Sequence, residues 1–343
     1  MREQSCVSVC PPSKPRRLES VPTLVDSETP ASGDAVWAGP AWVSLDGLQT
    51  CVLSADSDEF IGAVRAIAAG RVASLAPLLG EETDLSQLSP GKMLRTSMAA
   101  RIFGASECHA DRRILPSACA AVELVHTASL CHDDVIDNAL IRRARPTLWR
   151  STGPSTAILI GDILLCEAMH LITEVVGYRY VPTFLDKIGE VCRAEAEQEL
   201  RFRGKAIPEE TCLRLARSKT GPLFAFVGHV CGGENPALAR ALEEAGYRLG
   251  TAYQVADDLL DVASTEDKAG KTLGTDRQRG KHTLVQNASV SRSDVIRRVR
   301  DMLSSAGECV SAWPTVQNGI EAFIALDFEP AIAKQVSAWN AQA

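Results

Sequence analysis

From Ser57 onward the apolar residues of this 343-residue chain recur at spacings of three and four, and almost nowhere do they alternate singly with polar ones. That property excludes a sheet-based fold, since a half-buried strand needs a period of two and a half-buried helix one near 3.6. Phe60, Ile61, Val64, Ile67, Ala68, Val72 and Leu75 trace the first apolar stripe, behind Ser and Asp capping residues. The same spacing predicts helices over about 91–104, 117–138, 154–176, 181–203, 208–231, 236–263 and 291–304, punctuated by Pro116, Gly153-Pro154 and Asn235-Pro236. No short repeat of fixed length appears, so the expected fold is all-α, a single-domain helical bundle over 55–343 rather than a solenoid. Residues 1–54 carry Pro11, Pro12, Pro15, Pro22, Pro30 and Pro40 among Ser, Thr and Gly, and are expected to form a flexible N-terminal extension.

The net charge of −7 offers no basic face for a phosphate backbone, so no nucleic-acid partner is expected. The eleven cysteines are scattered without a CxxC pair, which reads as reduced thiols in a cytoplasmic protein. No apolar leader opens the sequence, and the longest apolar run, Thr156 to Leu165, is interrupted by Asp162; no transmembrane segment is expected.

Asp133, Asp134 and Asp137 fall inside the helical run 117–138, where the i, i+4 spacing sets Asp133 and Asp137 on one face. Neighbouring carboxylates cost stability unless water or a cation offsets them. Taken alone, this cluster reads equally as an exposed acidic helix end. A second set changes the balance: Gln254, Asp257, Asp258 and Asp261 occupy i, i+3, i+4 and i+7 of another helix. Two DDxxD motifs of hard oxygen ligands suit Mg²⁺, which completes its octahedron with water and phosphate oxygens. The ligand implied is a diphosphate. Leu124, Val125, Leu130, Val135, Val255, Leu259 and Leu260 flank the acids, so they should face a cavity, where metals act as Lewis acids on a leaving group.

A second diphosphate would need cations of its own. Lys92 and Arg95 lie one turn apart, His126 shares a face with Asp133, and Arg142-Arg143 follow the first motif. Lys219-Thr220 lies on a later helix, and Lys271 and Lys281 bracket a Gly-rich stretch that lacks the spacing of a P-loop. Singly, each is more often a solvated surface charge.

The string Glu123-Leu124-Val125-His126-Thr127-Ala128-Ser129-Leu130-Cys131-His132-Asp133-Asp134-Val135-Ile136-Asp137, followed by Arg142-Arg143 and Pro146-Thr147, resembles the trans-isoprenyl diphosphate synthases, or polyprenyl synthetases. Gly161-Asp162, Glu195 with Gln198, Lys219-Thr220, Tyr253-Gln254 with Asp257-Asp258-Leu259-Leu260-Asp261, and Gly270-Lys271 to Gly280-Lys281-His282-Thr283-Leu284 follow in the family's order, so the likeness covers about 58–285. It implies an isoprenoid-synthase-type bundle with a central active-site cavity, usually a homodimer. It implies a chain-elongating prenyltransferase that condenses an allylic diphosphate with isopentenyl diphosphate. Asp133, Asp134, Asp137, Asp257, Asp258 and Asp261 would hold Mg²⁺, about three ions with substrate bound. Arg142, Lys219, Lys271 and Lys281 would contact the allylic diphosphate; Lys92, Arg95, His126 and Arg143 would hold isopentenyl diphosphate. Thr220 and Gln254 would place oxygens beside the developing cation. Small residues at Ala128 and Ser129, where the family's short-chain members carry bulky aromatics, favour an all-E product of C20 or longer, one able to partition into a membrane; packing alone would equally explain them.

The chain departs from the family pattern in three places. The usual Gly-Gly-Lys-Arg-x-Arg-Pro is Pro90-Gly91-Lys92-Met93-Leu94-Arg95-Thr96, Arg-Arg-Gly is Arg142-Arg143-Ala144, and the segment after Leu284 is short and lacks a basic tail. The rival readings are a class I terpene cyclase, disfavoured by the second motif's all-aspartate form, and a non-catalytic subunit, disfavoured by intact aspartates.

Overall fold

A computed structural model describes the chain over residues 57–79, 84–108, 110–263, 280–286 and 290–333. The 1–54 extension, Lys271 and the side chain of Asp261 lie outside the described residues. Helix α1 (Ser57–Ala73) is followed by α2 (Leu94–Phe103) and α3 (Leu115–Ile136). A hairpin of β1 (Ile141–Arg142) and β2 (Arg145–Pro146) leads into the short α4 (Leu148–Thr152). Then come α5 (Pro154–Leu171), α6 (Val181–Ala196), α7 (Glu209–Gly232) and α8 (Pro236–Ala263). Beyond 280 lie α9 (Arg292–Glu308), α10 (Pro314–Phe323) and α11 (Glu329–Ala333).

The sequence starts these helices with recognisable chemistry. Proline occupies the first turn of α3, α5, α6 and α10, where its missing N–H costs no helical bond. Asn235 caps α8, its Oδ1 accepting from the N–H groups of Ala237 and Leu238 at 3.1 Å each. Ser291 does the same for α9, accepting from Asp294 N at 3.1 Å.

Helix α3 is the axis of the core. From Leu115 to Val125 it is buried on every side, as a helix apolar all round must be, and its side chains emerge only as it nears the aspartates. The closest helix pair is α7 with α8, and glycine makes it possible. A Cβ on Gly228 would lie 2.3 Å from the Leu242 carbonyl oxygen, one on Gly246 2.6 Å from Ala225 N, and one on Gly250 2.5 Å from the Cα of Gly221. With backbone resting on backbone, the Lys219-Thr220 turn is brought against Gln254.

Three features were not visible in the spacing. Helices α5, α6 and α10 each run on as a single π-helical stretch, at Ile172–Val176, Glu197–Phe202 and Ile324–Phe328. The short C-terminal region forms α10 and α11, secured by Arg101, whose Nε donates to Asp327 Oδ2 at 2.7 Å. The hairpin turns through Arg143 (φ 53°) and Ala144 (φ 58°), both left-handed, where a Cβ is penalised. Ala144→Gly is therefore expected to stabilise the fold by about 1 kcal/mol, read as a rise of about 2 °C in a thermal melt.

By length and composition alone, two helical stretches could cross a membrane, Ser57–Leu78 and Pro154–Val176. The second buries Ala157, Ile160, Leu164 and Ala168 in the core, yet leaves Ile158 and Leu159 exposed on its outer side.

Candidate active site

The three aspartates at the end of α3 play different parts. Asp134 is buried and turned to the hairpin, where Arg142 donates to its Oδ1 from Nε at 2.8 Å and Nη2 at 2.7 Å. Asp137, at the helix C-cap, accepts from Lys281 Nζ at 2.8 Å. Asp133 sits in a crowded cleft that pushes its pKa up to about 6, burial outweighing the opposite pull of Lys219. Asp133 and Asp137 are therefore the pair that faces the cleft, and Asp134 is committed to Arg142. The i, i+4 spacing already set Asp133 and Asp137 apart from Asp134, and the structure adds that Asp134 pairs with Arg142.

On α8, a hydrogen-bonded chain fixes the second cluster. Thr220 Oγ1 donates to Gln254 Oε1 at 2.6 Å, and Gln254 Nε2 donates to Asp258 Oδ1 at 2.8 Å, which settles the orientation of the amide. Lys219, Gln254, Asp258, His282 and Thr283 line a cavity of about 30 Å³. Asp257 acts on Arg142 from the α8 side, while Asp134 and Asp133 act on it from α3. Burial opposes the guanidinium's charge, and these acids more than offset it, holding its pKa above the ordinary value. The two acidic clusters thus converge on one arginine.

Glu195, from the end of α6, is the residue that sequence reasoning left without a role. Its Oε2 accepts from Lys219 Nζ at 2.5 Å and its Oε1 from Lys281 Nζ at 3.4 Å. Burial works against its charge, but the two ammonium groups prevail and hold its pKa near 2. The signal available in the sequence was its place, with Gln198, in the family's order of motifs, in a stretch where Glu190, Glu197 and Glu199 are acidic too. Lys281 is itself buried, and its loop is tied down by Gly204 N donating to Gly280 O at 2.8 Å.

A second group of cations lies between α2, α3 and the hairpin. Arg95, 8% exposed, stacks 5.1 Å from the Phe224 ring centroid, and its Nε is buried without a hydrogen-bond partner. Arg143 crosses over Gly91, where a Cβ would lie 2.5 Å from Nη2, and donates to the Ser89 carbonyl. Lys92 is exposed and reaches the Ala331 carbonyl of α11 at 3.4 Å. Burial first, and then Arg95, Arg143 and Arg142, force the pKa of His126 well below its ordinary value. The sequence grouped His126 with the cations; the structure gives a neutral ring, able to donate one hydrogen bond. A cavity of about 300 Å³ lies on the hairpin side, lined by Leu130, Asp134, Arg142 and Arg143, and meets this group at Arg143. Ala128 is fully buried, and the Ser129 hydroxyl folds back to donate to the His126 carbonyl at 2.9 Å.

Among the described residues no three acidic, His or Cys side chains close round a single point. Mg²⁺ does not require that, because it keeps waters and takes substrate oxygens. The donor chemistry fits: hard carboxylate oxygens from two helices, with Asp133 held as a costly half-buried anion that a cation would relieve.

Residues 77–318 match the family model described as polyprenyl synthetase. The chain belongs to the polyprenyl synthetase family. Among its relatives, the octaprenyl diphosphate synthase of Haemophilus influenzae is 33% identical over 166 residues, 48% of this chain and 50% of that protein. A short chain isoprenyl diphosphate synthase of Methanothermobacter thermautotrophicus is 32% identical over 219 residues, 61% of this chain and 66% of its own. The matches thus span about half to two thirds of these relatives. The fold is shared over a greater length: the crystal structure of a Caulobacter crescentus polyprenyl synthase, complexed with calcium and isoprenyl diphosphate, superposes with a TM-score of 0.66 at 22% identity, covering 85% of this chain and 98% of that one.

Proposed function

We propose that this polyprenyl synthetase condenses an allylic diphosphate with isopentenyl diphosphate, releasing pyrophosphate and lengthening an all-E isoprenoid chain. The observation that carries the reading is that two separate cation groups flank opposed aspartate clusters. Lys219, Lys281 and Arg142 are ion-paired with the acids, whereas Arg95 and Arg143 gather round the neutral His126. Two such groups match two diphosphates, only one of which must lose its leaving group.

Asp133, Asp137, Asp257 and Asp258, with Asp261, would hold Mg²⁺, which supplies Lewis-acid assistance to the departing diphosphate, while Asp134 steadies Arg142 beside them. Lys219, Lys281 and Arg142 bind that diphosphate and take up its growing charge. Lys271, which lies outside the described residues, would join them. Thr220 and Gln254 present oxygens toward the carbon from which the diphosphate leaves, and the Asp258 bond keeps the Gln254 amide from flipping. Arg95, Arg143 and Lys92 bind isopentenyl diphosphate by charge, and neutral His126 orients it by a hydrogen bond. The apolar wall around the aspartates excludes water, which would otherwise quench the allylic cation. The proton lost after coupling goes to the departing pyrophosphate. Ala128 and Ser129 leave room for a tail of C20 or longer.

The outer side of α5, with Leu159 60% exposed and Ile158 43%, supports association with a second copy of the chain. The cysteines among the described residues are free, in keeping with a reduced, cytoplasmic setting.

The test is direct. Purified protein is given Mg²⁺, isopentenyl diphosphate and C5, C10, C15 or C20 primers in turn, and the dephosphorylated products are sized. Linear products are expected, and EDTA should abolish them. Cyclic hydrocarbons would point to a terpene cyclase, and no product to a non-catalytic subunit.

A further inference from the structure

The two lysines of the aspartate-lined cleft share one anchor. Lys219 comes from α7, Lys281 from the 280–286 segment and Glu195 from the end of α6, so three distant stretches of chain meet at a single carboxylate. Its two oxygens take one ammonium each, and Lys281 is secured a second time by Asp137. Two ammonium groups this close repel one another, and an intervening anion is what lets them stand together. The side chain of Lys281 is 2% exposed and that of Glu195 14%, so water screens the arrangement poorly. A π-helical stretch begins at Glu197, two residues on, and re-aims the chain just past this carboxylate.

We propose that Glu195 is a positioning residue: it pre-assembles Lys219 and Lys281 as a two-ammonium clamp for the diphosphate of the allylic substrate, and takes no part in holding isopentenyl diphosphate. The inference rests on the reaction proposed above. Its chemistry is preorganisation, in which the cost of crowding two cations is met on folding, leaving binding energy for the phosphate oxygens. Glutamine at 195 keeps one acceptor oxygen and loses the negative charge, so its NH₂ group would confront the ammonium that the other oxygen now holds. Aspartate retains both acceptors on a stem one carbon shorter.

The experiment compares the full chain with Glu195→Gln and Glu195→Asp. In Glu195→Gln the KM for the allylic primer should rise about ten- to a hundredfold, the loss of one charge-assisted contact, while the KM for isopentenyl diphosphate stays within about twofold. Glu195→Asp should recover part of the loss. Calorimetric titration of Mg²⁺-loaded protein with inorganic pyrophosphate should show the same weakening without turnover. An equal rise in both KM values, or unchanged pyrophosphate affinity in Glu195→Gln, would overturn the assignment. Should Glu195→Gln fail to fold, the aspartate variant carries the same split in smaller measure. If the wild-type chain elongates nothing, the proposed reaction fails and the pyrophosphate titration alone decides the role of Glu195.

Discussion

Replacing Asp133 and Asp137 together by alanine should lower turnover by at least about a thousandfold, the scale expected when charge stabilisation at a leaving group is removed. The helices should survive. Asp133 is a carboxylate that its surroundings push to about 6, so deleting it relieves a cost. Asp137 caps α3 through its backbone N–H to Asp133 O, a bond that alanine keeps. Lys281 would lose its 2.8 Å partner but retain Glu195 at 3.4 Å. Circular dichroism and a thermal melt should therefore resemble wild type while product formation disappears. A variant that keeps more than a tenth of wild-type turnover would remove the acids from the chemistry altogether.

The largest effect on stability is expected at the α7–α8 contact. Gly246→Ala places a methyl 2.6 Å from Ala225 N and the carbonyl carbon of Phe224, and both obstacles are main chain. Neither can rotate aside, so the helices must part. The loss should reach about 3 kcal/mol, at the upper end of overpacking costs, and would appear as a lower denaturation midpoint. Gly62→Ala, in the middle of α1 with nothing within 4 Å of the new carbon, is the matched control. It should be neutral or stabilise by up to about 1 kcal/mol through helix propensity. Equal behaviour of the two variants would show that the close approach has no energetic weight.

Much of this molecule can be read from the chain alone, and what cannot has identifiable physical causes. Helix starts were legible at Pro154 and Asn235, where proline and asparagine mark them, because capping is local; Pro314 marks α10 in the same way and was passed over. The 141–146 hairpin was not, since each strand has two residues and its turn uses Arg143-Ala144 in place of glycine. The C-terminal helices were hidden by a region shorter than the family pattern. Within the site, periodicity put Asp133 and Asp137 on one face correctly, but the diversion of Asp134 to Arg142 depends on where a hairpin folds back. The anchoring role of Glu195 needs three segments to meet, and no spacing rule encodes that. The neutrality of His126 follows first from its burial and then from Arg95 of α2 and Arg142-Arg143 of the hairpin, a property of their assembly in space.

The glycine contact between α7 and α8 bears on how a lengthening hydrocarbon could be accommodated. Main chain resting on main chain has no rotamers to give, so Thr220 and Gln254 must move together, and under the proposed reaction they would form one stiff spar beside the reacting end of the substrate.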